Sequence, residues 1–249
     1  MAMANKDRIA ALLKSIETGD PGPVAVVNEA QYIQHNPQTH EGSEGLAALF
    51  QRLSKTSPRV NIVRAFEDGA YVFAHTEYDF AKRNIGFEVF RFENGQAVEH
   101  WDNIQARLGP NASGHTMVDG PVAAQQPEHT EPNRTLVRTF VETVLIAKQF
   151  AQLSTWVNAD AFVEHSPQLC DDISALPKAF EGADLHYRQL HRVLAEGNFV
   201  LSVCEGYMGE THTSFYDLFR IEDQMIVEHW DTTETVALPE DWKNDNGKF

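Results

Sequence analysis

The tetrapeptide Glu99-His100-Trp101-Asp102 closes the run Phe87-Glu88-Val89-Phe90-Arg91-Phe92-Glu93-Asn94-Gly95-Gln96-Ala97-Val98. The same four residues return as Glu228-His229-Trp230-Asp231, after Tyr216-Asp217-Leu218-Phe219-Arg220-Ile221-Glu222-Asp223-Gln224-Met225-Ile226-Val227. From His100 to His229 is 129 positions. Both runs read as strands around a turn, and Asn94-Gly95 is the strongest hairpin signal in the chain. The chain therefore reads as one unit written twice.

Upstream of the first copy, Ile9, Leu12, Leu13 and Ile16 fall at i, i+3, i+4 and i+7, the stripe of an amphipathic helix. Gly19-Asp20-Pro21-Gly22-Pro23 ends it. A short apolar helix over residues 24–27 leads into Tyr32-Ile33-Gln34-His35-Asn36-Pro37. A third helix is expected from about residue 43 to 53, with Leu46, Leu49, Phe50 and Leu53 as its apolar face. The period then changes from 3.6 to 2, and strands are expected over residues 60–66, 70–80, 85–92 and 96–105. Helices followed by an antiparallel meander make an α+β pattern.

The pattern restarts at Asn133, with Val137, Phe140, Val141 and Val144 as a helix stripe. Phe162-Val163-Glu164-His165-Ser166-Pro167-Gln168 matches Tyr32-Ile33-Gln34-His35-Asn36-Pro37-Gln38, and a strand block runs over residues 187–235. This predicts a first domain over residues 1–106, a Gly/Pro-rich linker over 107–132, a second domain over 133–238 and a tail over 239–249, with Trp242 and Phe249 docking on the body.

The 249 residues, 42% of them hydrophobic, suffice for two such cores. A formal charge of −16 and the lack of a basic stripe argue against a nucleic-acid partner. No window approaches the ~18 apolar residues of a membrane span, and the first residues lack the apolar core of a signal peptide. Cys170 and Cys204 read as two reduced thiols. A cytoplasmic protein with no membrane partner is expected.

The order helix, helix, His-Asn-Pro, helix, then a meander ending in Val98-Glu99-His100-Trp101-Asp102-Asn103-Ile104-Gln105, resembles the SnoaL-like family. Tyr32-Ile33-Gln34-His35-Asn36-Pro37, the run from Phe87 to Gly95, Phe215-Tyr216-Asp217-Leu218-Phe219-Arg220 and the closing Trp242-Lys243-Asn244-Asp245-Asn246-Gly247-Lys248-Phe249 look like its predicted aldol-condensation-catalysing subgroup. The resemblance covers nearly the whole chain outside the linker. It implies two tandem cone-shaped α+β barrels of the nuclear transport factor two-like, cystatin-like fold, each with N-terminal helices packed on a curved antiparallel sheet. It implies cyclase, lyase or isomerase chemistry on a small carbonyl compound, by an aspartate acting as acid and base, with no metal and no cofactor. Relatives on this fold also include plain binding and dimerisation modules, so the fold does not fix the chemistry. The outer sheet faces of this fold commonly pair, which implies an intramolecular pseudo-dimer or a homodimer.

Strand alternation places His100 and Asp102 on one face of the last strand and Glu99 and Trp101 on the other. His100 and Asp102 are expected to face the pocket, because Val98 and Ile104 flank them. Asp102 is then the general base, with His100 and His35 as donors or proton carriers, and Asp231, His229 and His165 hold the same places in the second copy. His75, Glu88, Tyr32 and Trp101, with Asp217 and Trp230, are the expected substrate contacts. Each has a plainer alternative: His35 as a loop hydrogen bond, the His-Asp pairs as structural bonds, Trp101 and Trp230 as core or interface anchors, Glu88 and Asp217 as exposed strand positions. A metal site on His35, His75 and His100 lacks any tight ligand spacing. Because His75 falls opposite Val203, the N-terminal copy is expected to be the more polar and the chemical one. The function expected is acid-base catalysis on a small molecule; the alternatives are a non-catalytic binding module and a dimerisation scaffold.

Overall fold

The computed structural model describes residues 3–249 and divides into two compact units. One runs to Arg107 and takes in Val236–Phe249; the other is Leu108–Thr235. The stretch expected to be a linker therefore belongs to the second unit from Leu108 onward, and the tail belongs to the first.

In the first unit, α1 (Asn5–Thr18) buries Ile9, Leu12, Leu13 and Ile16. Fully burying such a side chain contributes about 1.5–3 kcal/mol, which fixes this face of the helix to the sheet. Gly19, at φ 71°, ends it by donating its N–H to the Ser15 carbonyl, a left-handed cap that glycine adopts without a Cβ penalty. After the 3₁₀ turn Gly22–Val26 come β1 (Ile33–Gln34) and α2 (Gly42–Leu53). Then follow β2 (Arg59–Asp68), β3 (Tyr71–Asp79), β4 (Arg83–Glu93) and β5 (Gln96–Ala106).

The sheet order is β1-β5-β4-β3-β2. The meander is antiparallel as expected. The two-residue β1, too short to carry a period, adds a fifth strand that runs parallel to β5 with Gln34 opposite His100. Asn94 and Gly95, at φ 49° and 78°, make the β4–β5 turn, the positive-φ geometry that matches strand twist. Register shifts between Ile62 and Arg64 and between Arg91 and Phe92 bend the sheet. Val72, Ala74, Tyr78 and Phe90 face α1 and form the inner, helix-covered side. Alternation puts Glu88, His100 and Asp102 on that side, and Phe73, His75, Phe87 and Trp101 on the other.

The second unit repeats the order. Its α3 (Thr130–Phe140) runs into a π-helical turn, Val141–Ile146, followed by α4 (Leu153–Trp156), β6 (Val163–Glu164) and α5 (Leu176–Gly182). The strands β7 (Leu185–Glu196), β8 (Phe199–Met208), β9 (Thr211–Glu222) and β10 (Met225–Thr235) complete a sheet of order β6-β10-β9-β8-β7. Both units are α+β, with helices on one face of a curved, mixed five-stranded sheet.

The inner faces are packed in complementary ways. In the first unit Thr76 pairs with Gly86, and Tyr78 covers that glycine; a Cβ at Gly86 would lie 2.6 Å from Thr76 Oγ1, 2.7 Å from Tyr78 Cε2 and 2.8 Å from Glu88 Oε1. In the second unit Cys204 pairs with Phe215, and Gly206 holds the next inward place on β8, where a Cβ would lie 3.1 Å from the Phe215 ring. Bulk has moved from β3 in one unit to β9 in the other. Gly86→Ala should cost about 1–3 kcal/mol through this overpacking, read as a lower urea midpoint with an unchanged slope.

Candidate functional site

Each unit builds two polar clusters on opposite faces of its last strand. The outer one is the same in both. His35 stacks on Trp101 with ring centroids 4.6 Å apart and an interplanar angle of 11°, and His165 stacks on Trp230 at 4.6 Å and 6°. Glu99 accepts from His35 Nε2 at 2.9 Å and from Arg91 Nε at 2.5 Å. Glu228 accepts from His165 Nε2 at 2.8 Å and from Arg220 Nε at 2.5 Å. Burial pushes the Glu228 carboxyl up, but the bonds from His165 and Arg220 outweigh it and hold the group below its ordinary value.

Segments outside the repeated meander complete these clusters. Gly247 O lies 2.8 Å from His35 Nδ1, and Thr116 O lies 2.8 Å from His165 Nδ1. Asn244 Nδ2 donates to the carbonyls of Asn36 and Thr39, and Asn246 Nδ2 to that of Gln34. In the second unit Asn111 Nδ2 donates to the Glu164 carbonyl at 2.6 Å, and Trp230 Nε1 to the Asp119 carbonyl at 3.0 Å. The tail docks through Asn244, Asn246 and Lys248; the Trp242 indole bonds Ala237 within the tail itself.

The inner clusters differ. In the first unit His100 Nδ1 meets Gln34 Oε1 at 2.9 Å and Nε2 meets Glu88 Oε2 at 2.7 Å, while Tyr78 OH donates to Glu88 Oε1 at 2.7 Å. Asp102 stands directly opposite Glu88 across the strands. It accepts from Asn36 Nδ2 at 2.7 Å, and the ammonium of Lys248 reaches it at 3.4 Å. Burial raises the Asp102 carboxyl, but the charges of Lys248 and His100 and the Asn36 bond overcome it and hold the group below its ordinary value. Tyr32 is buried beside the same acids, and its hydroxyl is pushed well up by burial and by the charges of Glu88 and Asp102.

In the second unit Glu164 replaces Gln34, Ser166 replaces Asn36, and no lysine or arginine lines the site. His229 is held between Glu164, at 2.8 Å from Nδ1, and Asp217, at 3.1 Å from Nε2. Tyr187 OH donates to Asp217 Oδ1 at 3.1 Å, in the role that Tyr78 plays from a different strand. Ser166 Oγ donates to Asp231 Oδ2 at 3.0 Å. Among the described residues, Asp231 Oδ1 and Asp217 Oδ2 are buried and accept nothing from the protein. Burial opposes charge on His229, yet Glu164 and Asp217 raise it well above the ordinary histidine value, so it is an imidazolium at neutral pH. Burial first, then the charges of Glu164 and Asp217, push Asp231 up to about 7, against the opposing pull of His229.

These groups form one end of a cavity of about 510 Å³. Most of the rest of its wall is apolar, with Phe140, Leu145, Phe180, Phe215 and Ile226 prominent and Gln168, Asp172 and Thr233 among the polar exceptions. Such a site, largely apolar with a few convergent polar groups, is the usual form of a small-molecule pocket.

The sequence-predicted residues thus separate. His100, Asp102, Glu88 and Tyr32 gather on the inner side of the first unit, and His229, Asp231 and Asp217 in the cavity of the second. His35 and His165 do not join them. Each lies one residue beyond the inward Gln34 or Glu164 on a two-residue strand, so its side chain takes the opposite face. Trp101 and Trp230 go with them. His75 also lies on that face, 3.0 Å from Arg64 Nη1 and against Phe87, so it does not make the first unit's pocket more polar. A cavity of this kind lies in the second unit. Sequence reasoning missed Glu164, Ser166, Tyr187 and Lys248; Glu164 enters through the parallel pairing of β6 to β10, which sets it opposite His229 and which a two-residue strand does not announce in sequence. Glu88, His100 and Asp102 present atoms within 4.8 Å of one another, as a metal site would. Both His100 nitrogens and Asp102 already hold protein partners there, and a metal would have to displace them.

No family model and no curated protein matches the chain. Among solved structures, it is similar to TsrD from Streptomyces laurentii, at 19% identity over 41% of this chain and 87% of that one, with a TM-score of 0.36. It is similar to IdmH from Streptomyces antibioticus, described as a candidate polyketide cyclase, at 16% identity over 41% and 93%, with a TM-score of 0.37. It is also similar to an LEH-like epoxide hydrolase from M. tuberculosis, at 19% identity over 43% and 85%, with a TM-score of 0.34. No helix among the described residues is long and apolar enough to cross a membrane.

The two aspartates should respond oppositely to pH. Asp231 is raised in the fold, so its neutral form is favoured; its contribution is present below about pH 4 and is lost as pH rises toward 7. Asp231→Asn should therefore raise stability above pH 7 by a few kcal/mol, seen in urea unfolding at pH 5 and 8. Asp102 is lowered, so its contribution is present above the unfolded value and is lost only in acid. Lys248→Met removes the cation and should cost about 3 kcal/mol at pH 7.

Proposed function

We propose that the chain is a tandem pair of SnoaL-like units, and that the second unit is an acid-base catalyst on a small carbonyl compound. Cyclase, lyase and isomerase reactions of this kind share one step, removal of a proton next to a carbonyl. The observation that carries the reading is Asp231: a carboxyl with a value about 7, an Oδ1 free of protein partners, and a place in the wall of an apolar cavity. A base poised near the working pH is populated in its ionised form and still takes a proton readily.

In this reading the Asp231 carboxylate takes the carbon-bound proton and the Ser166 hydroxyl orients it through Oδ2. His229, clamped between Glu164 and Asp217, lies on the same strand face and fixes those two carboxylates beside the base. The protonated Asp231 then returns the proton to carbon or to oxygen. The first unit keeps the acid–histidine–acid face, Glu88, His100 and Asp102, but ties Asp102 to Lys248, a state with a weaker base. His35, His165, Trp101 and Trp230 position the last strand in this account, His75 packs against Arg64 and Phe87, and none of them touches substrate.

One observation favours a binding module instead: both His229 nitrogens already have carboxylate partners, so the ring has no free N–H for a ligand. The two readings separate on turnover. With an aryl ketone such as propiophenone in D₂O, NMR should show protein-dependent exchange of the α-protons, increasing as pH rises through about 7. Asp231→Asn should lower that exchange by about 10²-fold or more. Exchange that survives the substitution would remove Asp231 from the chemistry.

A further inference from the structure

The cavity's polar end holds three carboxyl groups, Glu164, Asp217 and Asp231, against one imidazole. Glu164 is spent on His229, Ser166 N and His165 N. Asp217 and Asp231 each use one oxygen, Asp217 Oδ1 on His229 and Tyr187 and Asp231 Oδ2 on Ser166. They are direct cross-strand partners on β9 and β10. Asp217 is 2% exposed, and its Oδ2 has no partner among the described residues; the same holds for Asp231 Oδ1. Unused acceptors of this kind in an apolar wall are costly unless something donates to them.

The first unit shows what meets such a pair. Its Glu88 and Asp102 are cross-strand partners in the same way, and the ammonium of Lys248, itself 3% exposed, enters to 3.4 Å from Asp102. The chain supplies its own primary amine there and none in the second unit. Of the titratable groups around the second pair, Glu164, Tyr187, Cys204 and the loop residues Cys170 and Asp172 bring no positive charge, and His229 is already balanced by Glu164 and Asp217.

We propose that the second unit's cavity takes a hydrophobic molecule bearing a protonated amine, with the ammonium against the Asp217–Asp231 carboxyl pair and the apolar body against Phe140, Phe180 and Phe215. This rests on the reading of the cavity as the substrate site and names the substrate's charged group. The bound ammonium holds Asp231 ionised, as Lys248 holds Asp102. An amine binding below about pH 7 therefore displaces a proton from Asp231 into solvent.

The test is calorimetric titration of the full chain with three probes that share a phenylethyl body: 2-phenylethylamine, 2-phenylethanol and 3-phenylpropionate. The amine should bind about tenfold or more tighter than the alcohol, and the carboxylate weakest of the three. At pH 6 the amine's heat should depend on the buffer's ionisation enthalpy, reporting proton release. Asp231→Asn, a near-isosteric change, should remove both the preference and the proton release; Asp217→Asn should weaken the amine more than the alcohol. An alcohol or carboxylate that binds as well as the amine overturns the proposal. Ketone exchange that depends on Asp231 without amine preference overturns this inference alone. Amine preference without any such exchange supports it and overturns the catalytic reading.

Discussion

Two carboxyl groups facing each other across adjacent strands in an apolar wall cannot both stay ionised without a cation. That constraint shapes both inner clusters. In the first unit the chain answers it with Lys248, drawn from the tail into the buried site, and Asp102 stays ionised. In the second unit the added acid Glu164 takes up the one histidine, no cation arrives, and Asp231 answers with a proton. One repeated pattern therefore yields a closed ion pair in one unit and a poised acid in the other.

The outer clusters do a different job. His35 on Trp101 and His165 on Trp230, each tied to a glutamate-arginine pair, hold a two-residue parallel strand against the edge of the sheet. That short strand carries Gln34 or Glu164 inward to the histidine of the last strand. The segment 108–126 and the tail each close one such cluster through backbone carbonyls and asparagine side chains. This is why neither behaves as a linker or a loose end. Bonds of this kind are individually worth about 1 kcal/mol, and the clusters matter chiefly by fixing which face each side chain takes.

Much of this was legible in the sequence. The helix stripe of Ile9, Leu12, Leu13 and Ile16, the Asn94-Gly95 turn and the alternation of the four long strands follow from period and turn chemistry alone. Alternation also sends His100 and Asp102 inward together. What could not be read came from contacts distant in sequence or from elements too short for a period. A two-residue strand gives no alternation to count, so His35 was grouped with His100 when its neighbour Gln34 holds that place. Lys248 lies 146 positions from Asp102, and nothing local to either marks the pair. Tyr187 replaces Tyr78 from a different strand, which an alignment of the halves hides.

The most direct test is a carboxyl-carbon NMR titration of the aspartates, with Asp231→Asn and Asp102→Asn to assign the two signals. The account predicts that Asp231 titrates near 7 and that Asp102, in the same molecule, titrates below the ordinary 3.8. Two aspartates titrating together near the ordinary value would contradict it, because the second unit would then hold no poised acid.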